Sequence, residues 1–360
     1  MGRIAACTMK ICLCMIVKNE SHIIKRCLNS VKDIIDCWCI VDTGSSDNTP
    51  EIIKQELSHI PGSLFQKPWF NFGFNRTESI FLSKNFEHDY LLLIDADNEI
   101  LNFSFDKNLL HHDMYYGKHC GDFDYARPML IKSNKEWEWK GLTHEYLDCA
   151  TNYSSDIIST LKFKDNNDGS SKKQKFIRDV ELLQQELKIN PNNSRTVFYL
   201  AQTYKSLGNL FEAKKYYEQR INMKGWEEEI WYSKYQIANI LAECKKWPDA
   251  LDSYLEAYEM RKHRIEPLYR LCNYYRENKK YNIAKIYGDT ALKIKNTSDL
   301  LFVEKWMYDF GILDEMSLIY YNLGEFEKSV EMCHLILQND EVKDKERIFN
   351  NLKIIKECLP

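Results

Sequence analysis

The chain contains no apolar run near the roughly 18 residues that a bilayer-crossing helix needs, which excludes that class of protein. It also lacks the apolar stretch and small-residue cleavage site of a secretory leader. Ala6 stands where a myristoylation signal carries Ser or Thr, and Cys358 lies one place too close to the end for prenylation. A cytoplasmic location is the resulting expectation. Glycine and proline are scarce, 13 and 8 among 360 residues, which argues against long loops and for abundant helix. Neither sign of charge dominates, since 49 Lys and Arg against 53 Asp and Glu give 49 − 53 = −4. The global field therefore favours neither nucleic acid nor an anionic membrane surface. Gly-x-x-x-x-Gly-Lys and Gly-x-Gly-x-x-Gly are both missing, and with them the P-loop and dinucleotide fingerprints.

Cysteine is plentiful, at 12 residues, but the chain is far too long for a small disulfide scaffold. Cys12 and Cys14 in "KICLCMIV" and Cys37 and Cys39 in "IIDCWCIV" have the spacing of one strand face, poorly placed for bridging within a pair. Each pair supplies half of a zinc set, yet no Cys-x-x-Cys or Cys/His pair at finger spacing completes one. Buried free thiols in a reducing compartment are expected.

With 44% hydrophobic and 28% charged residues the chain is globular, and its length suits two domains. From Lys10 to about Phe163 apolar runs of strand length alternate with amphipathic stretches of helical period. "KICLCMIV", "CWCIVD", "SLFQKPW" and "DYLLLIDAD" read as strands. "ESHIIKRCLNSVKDI", "DNTPEIIKQELSHI" (Asn48 or Thr49 as N-cap, Pro50 in the first turn) and "FNRTESIFLSKNF" read as helices. This order predicts a mostly parallel α/β sheet, with ligands bound beyond the carboxyl ends of its strands. "KFKDNNDGSSKKQK" reads as a linker, and the rest as helix with internal repeats. Ala201 to Ala238 and Ala213 to Ala250 are both 37 residues, and Ala284 follows Ala250 by 34, with a fourth copy around Gly324 and Ser329. Small residues at Ala201, Ala213, Ala238, Ala250, Ala284 and Ala291 would let paired helices approach, with Tyr204, Tyr217, Tyr254 and Tyr275 between them. These copies resemble tetratricopeptide repeats. The expected domains are 1–165, a catalytic α/β domain, and 166–360, an all-α repeat domain.

"LLLIDADNEI" ends a buried strand on Asp95 and Asp97. Charges there are costly unless solvated, paired or bound to a metal. Two carboxylates at that edge suit a hard cation that also holds phosphate oxygens. "MIVKNE" and "VDTGSSDNT" occupy strand-to-helix turns at the same edge, where Asp42 is placed to accept from a base or ribose and Gly44 permits a tight turn.

The ordered set "ICLCMIVKNESHIIKRCLNSV", "CIVDTGSSDNTPEIIKQ", "FNRTESI", "LLLIDADNEI" and "WEWKGLTHEYL", from about Met9 to Leu147, resembles a family 2 glycosyltransferase of the GT-A fold. It resembles the branch with a C-terminal tetratricopeptide-like region. The resemblance implies an inverting hexosyltransferase that uses a nucleotide sugar, most often UDP-linked, with Mn²⁺ or Mg²⁺. It places Val17, Lys18, Asn19, Glu20 and Asp42 in the nucleotide pocket and Arg76 against diphosphate or ribose. It makes Asp95-Ala96-Asp97 the Asp-x-Asp motif and sets Arg127 and Trp139 to Glu145 near sugar and acceptor. Thr77 and Asn98 depart from the family's usual Asn and acid. Inversion needs a base for the acceptor proton; Glu145 is the first choice, then Asp148, with Asp122 and Asp124 behind. His144 is assigned with Asp95 and Asp97 to metal or diphosphate. Trp137 and Trp139 are equally placed for core packing or for stacking on a sugar.

The implied partners are a nucleotide sugar and a glycan or protein acceptor. The helical repeats would add a protein partner or a second copy of the chain; no nucleic acid and no membrane span are expected. Two other readings compete. One is a non-catalytic scaffold with an inert transferase domain. The other is a sugar nucleotidyltransferase, which wants a Gly-rich loop after the first strand where "MIVKNE" has no glycine.

Overall fold

In the computed structural model residues 9–120, 125–166, 168–169 and 172–359 are described, except for the side chains of 172–174. Asp122 and Asp124 lie outside the described residues. The apolar runs form β1 (Ile11–Val17), β2 (Cys37–Asp42), β3 (Gly62–Gln66) and β4 (Tyr90–Leu93). The amphipathic stretches between them form α1 (Ile24–Val31), α2 (Thr49–Glu56) and α3 (Phe72–Ser83). β1 pairs in parallel with β2 and with β4, and β2 with β3, so their carboxyl ends share one edge.

Period-2 alternation sorts the strand residues between two cores. Leu13, Met15, Trp38 and Ile40 face Ile24, Leu28 and Val31 of α1. Cys12, Cys14, Cys37 and Cys39 lie on the opposite face with Leu91, Leu93 and Ile80 of α3. Every described cysteine is free. The first turn of α2 is capped by Asp47, whose Oδ1 accepts from the Thr49 amide (3.0 Å) and hydroxyl (2.6 Å). Asn48 makes no side-chain cap.

Beyond β4 the alternation with helices stops. The chain continues as β5 (Asn98–Asn102), β6 (Met114–His119), β7 (Ala126–Lys132), β8 (Trp137–Lys140), β9 (Tyr146–Cys149) and β10 (Ser155–Asp165). The eight-stranded sheet has the order β3-β2-β1-β4-β7-β6-β10-β5, and β8 with β9 forms a separate antiparallel ribbon. Four of the sheet's pairings are parallel and three antiparallel: β7 runs opposite to β4 and β6, and β5 runs opposite to β10.

The stretch expected as a linker is partly built into the fold. Its first residues finish β10, Phe163 is buried, and Asp168 grips Arg26 with two bonds of 2.8 Å. Two helices follow, α4 (Lys172–Ile189) and α5 (Ser194–Ser206). The compact units are Met1–Leu207 and Gly208–Pro360, rather than a division at 165/166. The change of period marks a change of secondary structure. The packing boundary comes later because α4 is tied into the first unit, Thr143 bonding the buried Asp179 (3.2 Å) and the Leu142 amide bonding Glu186 (3.3 Å).

The second unit is helical: α6 (Leu210–Ile221), α7 (Glu227–Glu243), α8 (Trp247–Met260), α9 (Glu266–Glu277), α10 (Tyr281–Ala291), α11 (Ile312–Asn322), α12 (Phe326–Leu337) and α13 (Lys345–Glu357). Neighbouring helices pack in sequence order. Ala213, Ala238, Ala250, Ala284 and Ala291 are fully buried, as close helix approach requires. The repeat also shows in the backbone. Gly208, Lys245, Lys279 and Gly324 all have positive φ, each five residues before Ala213, Ala250, Ala284 or Ser329. That is the left-handed residue that ends a helix, and it favours glycine. Among the described residues no helix is long and apolar enough to cross a membrane.

Candidate active site

A cleft of about 590 Å³ opens at the carboxyl ends of β1 and β4. It is lined by Val17, Lys18, Asn19 and Glu20 after β1, by Asp95, Ala96, Asp97 and Asn98 after β4, and by Arg76 of α3. Thr43, Trp69, Phe72, Asp165 and, from α4, Lys175 and Arg178 complete the wall. The two strand-to-helix turns clasp each other. The Asn19 side chain accepts from the Ser46 amide (2.7 Å), the Asn19 amide donates to Ser45 (2.9 Å), and the Glu20 amide to Thr49 (2.8 Å). Asn19 adopts positive φ, which Asn tolerates better than most residues. Hydrogen bonds from Thr49 and Ser21 hold the Asp47 carboxyl at about 2, although burial alone would raise it.

Asp95 and Asp97 have different surroundings. Arg76 donates to Asp95 Oδ1 (2.5 Å) and Arg127 to Oδ2 (3.1 Å). Burial would raise this carboxyl, but the two guanidiniums override it and hold it well below the usual carboxylate range. Asp97 pairs with no cation among the described residues. Burial, and then the charge of Asp95, push it up to about 6. Glu20 shares that condition: burial, and then Asp97, push it up to about 7. Its Oε2 is buried without a hydrogen-bond partner. Asn98 joins the halves, donating to Asp97 Oδ1 (3.1 Å) while its carbonyl oxygen accepts from Arg127. An acid there could accept from Arg127 but, ionised, could not donate to Asp97.

Arg76 also reaches Glu145, Nε to Oε1 at 2.6 Å, and lies 5.4 Å from the centre of the Trp139 ring. This contact depends on α3 lying tightly on the β8–β9 ribbon. A Cβ at position 73 would lie 2.3 Å from the Gly141 carbonyl oxygen, so only glycine fits there. Thr77 accepts from the Trp139 amide (2.8 Å), which gives the departure from Asn at 77 a structural role.

Several expected site residues lie elsewhere. Asp42 is buried and accepts twice from Ser45 (3.0 and 2.6 Å), so it braces the turn, and Thr43 lines the cleft. Gly44 is an exposed turn residue with φ of +102°. Asp148 faces out of the ribbon and pairs with Lys140 at 3.2 Å, away from the cleft. Trp137 is buried and donates to the Lys132 carbonyl (2.9 Å), as a core residue does. The expected metal set of Asp95, Asp97 and His144 does not assemble, since their ligand atoms do not gather within 4.8 Å of one another. Asp95 is consumed by arginines. His144 stacks on Tyr199 of α5 at 4.2 Å, where burial, then Lys175 and Arg195, lower it to about 4. Lys175 and Arg178 are not evident from the sequence pattern because they follow the sheet by a whole polar stretch. The only signal was the density of basic residues at the start of α4.

Two acids without cations, beside a rim of Arg and Lys at the carboxyl ends of parallel strands, suit a metal-bridged diphosphate. The family model described as "Glycosyl transferase family 2" matches residues 12–107. The N-terminal unit carries a family 2 glycosyltransferase domain. The match begins in β1 and takes in both clasped turns, Arg76, Asp95 and Asp97. A TPR repeat-containing protein of Synechococcus elongatus is 34% identical over 99 residues, 27% of this chain and 23% of that one. The SPbeta prophage-derived glycosyltransferase SunS of Bacillus subtilis is 27% identical over 231 residues, 58% of this chain and 52% of SunS. The chain thus spans about half, or less, of the length of these relatives. Among solved structures, a tetratricopeptide repeat protein from Parabacteroides merdae superposes with a TM-score of 0.38 at 15% identity, covering 52% of this chain and 68% of that one.

Proposed function

We propose that the glycosyltransferase domain transfers a hexose, with inversion, from a nucleotide sugar, UDP-linked in our reading, to a hydroxyl of a glycan or protein acceptor. The observation that carries this reading is the pair Asp97 and Glu20. Both face one cleft, both are raised by burial and by neighbouring acids, and neither is neutralised by a cation among the described residues. Carboxylates left so are poised for an external cation. The orphaned Glu20 Oε2 and the free side of Asp97 fit a hard divalent ion, Mn²⁺ or Mg²⁺, which when bound would neutralise the diphosphate leaving group.

The chain's own residues do the rest. Lys18, Lys175 and Arg178 on the cleft wall offer positive charge to phosphate oxygens. Arg76 is held between Asp95 and Glu145, which orients both carboxylates. Glu145 takes the acceptor proton as the acceptor oxygen bonds to the anomeric carbon and the bond to the nucleotide breaks.

The test is release of free nucleoside diphosphate from a panel of nucleotide sugars with Mn²⁺, for the parent chain and for Asp97→Asn. We expect release from one donor, abolished by EDTA and by the substitution. If no donor is turned over and none binds in a metal-dependent way, the reading fails. The helical repeats would then be the working part of the molecule.

A further inference from the structure

At the other edge of the sheet, where the parallel strands begin, three soft ligands converge. Cys12 is the second residue of β1, Cys37 opens β2 directly opposite it, and His88 lies two residues before β4. One ligand atom from each lies within 4.8 Å of the other two, the only such group of three or more among the described residues. Cys12 is fully buried, Cys37 nearly so, and His88 half-buried.

The histidine is prepared as a ligand. Its Nδ1 lies 2.8 Å from the Phe86 carbonyl oxygen. An acceptor there requires the proton on Nδ1 and leaves the lone pair on Nε2. Nε2 is buried and has no hydrogen-bond partner. A metal-bound histidine usually has one ring nitrogen anchored in this way to a backbone carbonyl while the other faces the ion. Ser133 fixes the backbone at and just after this residue, its hydroxyl donating to the His88 carbonyl (2.8 Å) and its amide to that of Asp89 (2.8 Å).

We propose that Cys12, Cys37 and His88 form a binding site for a thiophilic divalent ion, Zn²⁺, separate from the catalytic cleft. Zn–S bonds of ~2.3 Å set tetrahedral ligand separations of roughly 3.8 Å, so side-chain shifts of at most about an ångström close the set. Binding releases the two thiol protons to solvent, and one 2+ ion with two thiolates and a neutral imidazole leaves the buried site uncharged. Water fills the fourth position from the half-exposed histidine side. Because the ion ties β1, β2 and the start of β4 together, its role is to brace the central strands.

The test titrates reduced, chelator-stripped full-length protein with Co²⁺ and reads the thiolate-to-cobalt charge-transfer band, then displaces Co²⁺ with Zn²⁺. One equivalent is expected to saturate the band. Cys37→Ser should abolish it and His88→Gln should weaken Co²⁺ at least tenfold, while Asp97→Asn should leave it unchanged. Since Cys37 is buried, thermal unfolding supplies a second readout. Zn²⁺ should raise the Tm of the parent chain and not that of His88→Gln, whose half-exposed side chain is replaceable without opening the core. No charge-transfer band, a band that survives Cys37→Ser, or a Cys12–Cys37 disulfide in the freshly isolated protein would overturn the proposal.

Discussion

In the helical unit Arg264 and Glu266 are both fully buried and meet at 2.7 Å, with Asp299 accepting from Arg264 (3.3 Å) and Arg261 (2.7 Å) and the Trp231 ring 4.0 Å from the Arg264 guanidinium. Arg220 and Glu229 repeat the pattern at 3.0 Å. In the α/β unit Glu20 and Asp97 are only half-buried, yet each faces other acids and pairs with no cation among the described residues. Buried charge that is fully paired describes a structure already complete. Half-buried charge left over describes a structure that expects something from outside. Asp95 shows both conditions are met within one motif, because two arginines satisfy it while Asp97 remains available.

That contrast can be broken or sharpened by experiment. The largest effect beyond Asp97→Asn should come from Glu145→Gln, which keeps the shape and removes the proposed proton acceptor. Donor turnover with acceptor should fall by roughly 10²–10⁴-fold, read as kcat with little change in donor KM. A fall in affinity alone would reassign Glu145 to holding Arg76.

Next is Arg264→Ala, which leaves Glu266 buried without its partner. It should cost about 3–5 kcal/mol in denaturant unfolding of the helical unit, with donor binding by the α/β unit unchanged. A near-neutral result would mean that Asp299 and Tyr308 rearrange around the loss.

A smaller effect depends on pH. Asp97 at about 6 and Glu20 at about 7 hold protons in the folded chain where unfolded carboxylates have lost them. The folded state then binds more protons, so their contribution makes stability fall as pH rises from about 4 to about 7. A divalent ion competes with those protons, so the Tm rise given by Mn²⁺ should be larger at about pH 8 than at about pH 5. An equal rise at both would show that these carboxyls do not hold the ion.

Smallest is Lys245→Gly or Lys279→Gly. Removing a side chain from a left-handed cap should gain up to about 1 kcal/mol in thermal or denaturant melts. A loss would show that the lysine stem is packing on the turn.

The strands and helices from Ile11 to Leu93 were legible because short apolar runs and amphipathic stretches alternate there with little ambiguity. Asp95 and Asp97 were legible because nothing in a buried strand calls for acids at its end. Partnership was not legible. Which acid an arginine satisfies depends on contacts such as Arg127 to Asp95, set by strand pairing distant in sequence. The same holds for His144, whose neighbour Tyr199 belongs to a helix read as part of another domain. β5 to β10 were missed as a group, since their faces are half polar and their pairing is non-local. Spacing along the chain pairs Cys12 with Cys14 and Cys37 with Cys39, whereas the register of the parallel sheet sets Cys12 opposite Cys37 and within reach of His88.

Gly73 gives the cleft a mechanical property. With the Gly141 carbonyl oxygen 2.3 Å from where its Cβ would be, α3 rests on the β8–β9 ribbon without a spacer, and Arg76 stands one turn further along the same helix. The helix acts as a rigid arm and the glycine contact as its fulcrum. A single methyl group inserted at 73 would swing Arg76 relative to Glu145 while leaving both side chains intact. The spacing of Arg76 and Glu145 is thus gauged by an atom that is not there, at a position with no chemistry of its own.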